Sequence, residues 1–155
     1  MIGNDLVDLQ QALRDSNWMR RGFLSKLFSE LEQLYIMLAS EPFEMVWLLW
    51  SMKEAAYKVY NRDSGLREYA PARLNCKLIS ISPTAYLGQV RINGCTYHTK
   101  GQIFTGNYVH SVASTSSFNL DGIKVSLYPL ASNIDYKAMK PACVSHHGRY
   151  LALIF

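Results

Sequence analysis

Apolar residues recur at helical spacing through the middle of the chain. Leu48, Met52, Ala55 and Val59 fall on one stripe, with Leu49, Ala56 and Tyr60 beside it. That stripe predicts the core face of a long helix, from Glu41, ahead of Pro42, to about Tyr60, before the polar run Asn61-Arg62-Asp63-Ser64-Gly65. The opposite side carries Trp47, Trp50, Glu54 and Lys58 in a row, with Ser51 next to it. Two readings follow: a routine i,i+4 ion pair between Glu54 and Lys58, or a charged pair whose weight is raised by apolar walls, as phosphate and metal chemistry requires.

Upstream, Ile2 to Val7 alternates weakly and predicts a short strand with Asp5 and Val7 on one face and Leu6 on the other. Asp8, three residues before Gln11, has capping-box spacing for a short helix edged by Leu9 and Leu13. A cap is therefore the ordinary reading of Asp8. Asp5 has no such role, and a carboxylate inside an apolar strand is costly unless it is paired or bound to a cation. Ser29 and Glu32 open another helix, with Leu31, Leu34, Tyr35 and Leu38 as its expected buried side. The basic and aromatic segment Arg14–Lys26 reads either as a partner surface or as a helix end with solvated cations.

From Leu74 the pattern turns to strands: Leu74–Ile81, Gly88–Ile92, Cys95–Thr99 and Tyr108–Ser114, with Asn93-Gly94 as a hairpin turn. Ile123–Tyr128 is a further candidate strand, Asp135–Lys140 a short helix and Tyr150–Phe155 a last strand. Helices early and strands late predict an α+β class with an antiparallel sheet. The 155 residues suit one domain. Within it, residues 1–60 hold the first strand and the helices, 74–128 are mainly strands, and 129–155 form a C-terminal tail without a matched counterpart.

Composition narrows the function classes. An apolar fraction of 49% with 18% charged residues is globular. No apolar run approaches the roughly 18 residues a membrane span needs, and with no export-type leader a cytoplasmic location is expected. Cys76, Cys95 and Cys143 are an odd count at wide spacing, which predicts reduced structural thiols. The net charge of +4 and pI near 9.0 favour an acidic partner. Nucleic acid is not expected, because the basic residues are scattered.

Three stretches in order carry a family resemblance: Met1-Ile2-Gly3-Asn4-Asp5-Leu6-Val7-Asp8-Leu9, Phe23–Glu32, and Trp50-Ser51-Met52-Lys53-Glu54-Ala55-Ala56-Tyr57-Lys58. Together they resemble the 4′-phosphopantetheinyl transferases, with their Gly-x-Asp-aliphatic-Val-acidic strand and Trp/Phe-x-x-Lys-Glu-Ala-x-x-Lys helix. The resemblance implies an antiparallel sheet packed on a long central helix. It implies Mg²⁺-dependent transfer of 4′-phosphopantetheine from coenzyme A to a serine of an acidic acyl or peptidyl carrier protein.

On these motifs Asp5 and Glu54 take the metal and Lys58 the phosphates, so that Asp5, Glu54 and Lys58 form the catalytic set. Lys58, Lys53 and His110 are the expected contacts to coenzyme A, although an ordinary strand histidine is the simpler reading of His110. Length and the opening motif resemble the short, single-repeat holo-acyl-carrier-protein synthases, which are trimers with sites between subunits. The helix motif reads more like the long, duplicated enzymes. A homo-oligomer, a trimer by that resemblance, is the expected active unit. Two other classes remain open from the sequence: a carrier-binding protein without turnover, and a small basic nucleic-acid-binding domain.

Overall fold

A computed structural model describes residues Met1–Phe155. β1 (Ile2–Asp8) leads through α1 (Leu9–Asp15), α2 (Phe23–Leu27) and α3 (Glu30–Leu38) to α4 (Pro42–Ser64). Four strands follow: β2 (Asn75–Ile81), β3 (Tyr86–Ile92), β4 (Cys95–Phe104) and β5 (Tyr108–Ser114). β6 (Val125–Pro129), β7 (Cys143–His147) and β8 (Tyr150–Ile154) complete the chain. The first five strands form one antiparallel sheet in the order β1-β5-β4-β3-β2, and the last three form a second, β6-β8-β7. The class is mixed α+β, and no helix is long and apolar enough to cross a membrane.

α4 lies across the larger sheet. Leu48, Met52, Ala55 and Val59 have no exposed surface, as do Val46, Leu49 and Ala56. Pro42 opens the helix and Gly65, at φ 73°, closes it in the left-handed conformation that favours glycine. Facing α4, the sheet supplies Val90, Tyr97, Val109 and Ala113. At Gly3 the strand and the helix approach so closely that a Cβ would run into the Ala55 carbonyl oxygen. That closeness fixes the register of β1 against α4, and with it the position of Asp5 two residues on.

Three expectations need correction. α3 does not bury its leucine row: Leu31, Leu34 and Leu38 are 44%, 49% and 77% exposed, while Glu32 and Ile36 point inward. The helix is rolled because the Glu32 carboxylate is consumed inside, accepting hydrogen bonds from the Ser29 and Cys76 amides and from the Lys53 ammonium. Asp135–Lys140 forms turns and no helix. The tail contains an additional strand, β7, whose short and polar sequence carries no clear alternation.

β7 runs beside β1, the edge strand of the larger sheet, and satisfies its free amides with side chains. Leu6 N–H donates to Ser145 Oγ (3.1 Å) and Asp8 N–H to His147 Nδ1 (2.9 Å). This removes the open edge that would otherwise be a pairing hazard.

Candidate active site

The site lies where β1 meets the second half of α4. Ser111 pairs with Asp5 across the β1–β5 ladder, and its hydroxyl meets Ser51 of α4, so Asp5 also stands on the face turned to the helix. Asp5 is 9% exposed. Its Oδ1 accepts from Lys58 Nζ at 3.0 Å and from Ser145 Oγ at 3.4 Å. Lys58 also donates to the Asn4 carbonyl at 2.8 Å and to Ser145 Oγ at 3.4 Å. Lys58 therefore reaches across to β1, and the routine helix pair with Glu54 is not formed.

Glu54, half-buried, enters no ion pair. Burial raises its pKa, and the neighbouring charge of Asp5 raises it further; Tyr69 and Lys58 pull the other way without cancelling these effects. Burial likewise raises Asp5, against the opposing pull of Lys58 and Ser145. Two carboxylates thus stand in a partly dry site with one ammonium, which is bonded to Asp5 alone, and burial disfavours the charged form of each.

Trp50 and Tyr69 stand edge to face at 5.9 Å, and Tyr57 packs on Tyr69 at 4.7 Å, so an aromatic wall rises beside Glu54. The Tyr69 hydroxyl adjoins Glu54 but completes no hydrogen bond of good geometry. A cleft of about 270 Å³, lined by Phe23, Leu27, Trp47, Trp50 and His147 among others, opens nearby.

The donor set suits a hard divalent cation. Mg²⁺ takes one or two carboxylates and leaves its other positions to water and substrate oxygens. Asp5 and Glu54 could supply such a pair, with the single positive charge of Lys58 beside two carboxylates. No group of three or more His, Cys, Asp or Glu side chains gathers anywhere in the chain, which a two-carboxylate site does not require.

Two expected contacts fall away. Lys53 is fully buried and spends its ammonium on Glu32 Oε2 (2.6 Å), the Leu27 carbonyl (2.7 Å) and the Pro71 carbonyl (3.1 Å). With three protons and three acceptors, it has none left for a phosphate. His110 pairs with Leu6 in the ladder and shares the opposite face of the sheet with Val112, which packs on Leu120, Cys143 and Ile154. Burial and the positive charge of Lys58 push its pKa down to about 4, so it is neutral at pH 7 and faces away from Asp5.

Asp8 is excluded as a ligand by its other duties. It caps α1 through the Gln10 and Gln11 amides and pairs with Arg149 through both Nε (2.8 Å) and Nη2 (2.9 Å). Burial opposes its ionisation, but the hydrogen bonds from Arg149 and Gln11 outweigh that and hold its pKa well below the usual carboxylate range. Ser145 and Tyr69 are the site residues that sequence reasoning missed. Neither lies in a motif, and no spacing relates them to Asp5 or Glu54.

The family model of the 4′-phosphopantetheinyl transferase superfamily matches residues 1–113. The chain belongs to this superfamily. As a phosphopantetheinyl transferase family member it carries β1, all four helices and the larger sheet within the match, which ends one residue before the end of β5. The second sheet lies outside it. Among curated proteins, none matches the chain.

Proposed function

We propose that the protein transfers 4′-phosphopantetheine from coenzyme A to a serine hydroxyl of an apo acyl or peptidyl carrier protein in the cytoplasm, with Mg²⁺ as the required cation. The observation that carries this reading is the convergence of Asp5, Glu54 and Lys58 from β1 and α4. The serine hydroxyl gives up its proton to solvent as its oxygen forms a bond to the phosphorus that bears the pantetheine arm. The pyrophosphate link breaks and adenosine 3′,5′-bisphosphate leaves.

Asp5 and Glu54 would hold the cation, which offsets the negative charge growing on the phosphate oxygens. Lys58 offers a partly exposed ammonium, its side chain 29% accessible, as a point charge to the same oxygens. Trp50 and Tyr69 exclude water from one side and so strengthen each of these interactions. The net charge of +4 favours docking of an acidic carrier.

We further propose a homo-oligomer, a trimer by resemblance to the short synthases, because a ligand as long as coenzyme A needs a second wall. The outward leucines of α3, with Ile79 and Ile81 of the free-edge strand β2 at 56% and 62% exposed, are surface available for such contacts. The function is tested by following adenosine 3′,5′-bisphosphate in mixtures of protein, coenzyme A, Mg²⁺ and apo carrier. Product should appear only when all four are present, and its absence across fatty-acid, polyketide and peptide carriers would overturn the reading.

A further inference from the structure

The second sheet lies beyond the family match, yet it places one side chain in the site. Ser145 Oγ, on β7, stands within hydrogen-bond range of three groups: Leu6 N at 3.1 Å, Lys58 Nζ at 3.4 Å and Asp5 Oδ1 at 3.4 Å. A hydroxyl donates once and accepts twice. The backbone amide and the ammonium can only donate, so the Ser145 proton is committed to Asp5. The hydroxyl is saturated, and its polarity is fixed by its neighbours.

The consequence falls on the carboxylate. Both side-chain hydrogen bonds to Asp5 land on Oδ1, which leaves Oδ2 clear of side-chain donors. A carboxylate held by one oxygen presents the other in a fixed direction. We propose that Ser145 is a positioning residue that orients Asp5 for the cation, and that the C-terminal hairpin is thereby part of the transferase machinery. This rests on the assignment of Asp5 as a ligand under the proposed function.

The hairpin is built to hold Ser145 in place. Leu6 and Ser145 are bonded, and Asp8 and His147 two residues further on, so β7 follows β1 step for step in the same direction. At the turn, Arg149 grips Asp8 through its backbone N–H (2.9 Å) and its guanidinium. Gly148 sits there at φ 52°, where a Cβ would strike the Asp8 carboxylate. Asn4 Nδ2 donates to the Ala152 carbonyl at 3.3 Å, a further tie from β1 to β8. Asp8 therefore serves the site indirectly, by fixing the strand that carries Ser145.

The test measures Mn²⁺ binding by paramagnetic resonance, with coenzyme A present and carrier absent, for wild type, Ser145→Ala and Ser145→Thr. Ser145→Ala should weaken Mn²⁺ binding about tenfold or more, since groups that orient metal ligands contribute on that scale. It should also raise the Mg²⁺ concentration needed for half-maximal transfer, while Ser145→Thr, which keeps the hydroxyl, restores both. Wild-type Mn²⁺ affinity in a folded Ser145→Ala protein overturns the inference. If alanine prevents folding, Ser145→Cys is measured instead, and wild-type affinity there has the same meaning. A wild type that binds Mn²⁺ but transfers nothing defeats the proposed function alone, and the role of Ser145 is then judged on Mn²⁺. A wild type that binds no Mn²⁺ overturns the inference, and the transfer assay decides the function separately.

Discussion

Glu54 is a carboxylate whose charged form the fold disfavours, and that cost is measurable. Its pKa in the folded chain is raised above the ordinary 4.5 by burial and by Asp5. A raised carboxylate takes up its proton more readily when folded, so protonation stabilises the fold and the penalty is full only above the folded pKa. Glu54→Gln should therefore raise the melting temperature at pH 7, and the gain should vanish well below pH 4.5, where both states are protonated. Melting curves of both proteins across pH 3.5 to 7.5, roughly the range spanned by ordinary carboxylate and histidine titrations, check this. An unchanged or lowered melting temperature at pH 7 would mean that Glu54 is paired in solution. Activity is expected to move the other way, as it does when a strained charge serves function.

The same residues show what the sequence could and could not carry. Strand alternation and helical spacing are local rules that gave Asp5 its face of the strand and set Glu54 and Lys58 in one row on the helix, but the reach of Lys58 across to Asp5 lay beyond them. Lys53 adjoins Glu54 in the same motif, but one residue on a helix is a rotation of about 100°. That rotation sends its side chain inward, to a partner in α3 that no local pattern specifies.

Between elements, the buried Lys53–Glu32 pair ties α3, α4 and β2 together. Burial lowers the Lys53 pKa and the Glu32 charge opposes that, with the ions 2.6 Å apart and neither exposed. Removing the lysine leaves Glu32 charged and uncompensated, so Lys53→Met should cost about 3 to 5 kcal/mol. Urea unfolding measures it. A loss below about 1 kcal/mol, the size of a surface pair, together with a raised Michaelis constant for coenzyme A, would return Lys53 to the phosphate site. The roll of α3 has the same origin. Three leucines at helical spacing ordinarily mark a buried face, but here one carboxylate with three hydrogen-bond donors takes the inside. β7 escaped notice for a related reason: its contacts to β1 are made by side chains, and five residues reading Cys-Val-Ser-His-His show little alternation.

For the whole molecule, the larger sheet with α4 was legible in outline, from the α+β order to the Asn93-Gly94 turn. Of the second sheet, β6 and β8 were legible as the strands expected at Ile123–Tyr128 and Tyr150–Phe155, whereas β7 was not, and it is β7 that covers the edge of β1. With that edge closed, β2 is the free edge of the larger sheet, and association should use β2 and the outer face of α3. Light scattering should show an oligomer that Leu34→Glu with Leu38→Glu dissociates. A fully active monomer would contradict the proposed trimer while leaving the chemistry untouched.

The proposed chemistry rests on two carboxylates from separate elements, Asp5 and Glu54, acting on one cation. The most direct measurement is mass spectrometry of an apo carrier protein after incubation with coenzyme A, Mg²⁺ and wild type, Asp5→Asn or Glu54→Gln. The account predicts that the carrier gains one phosphopantetheine on a serine with wild type, and none with either variant although both remain folded. Full modification by either variant would contradict it.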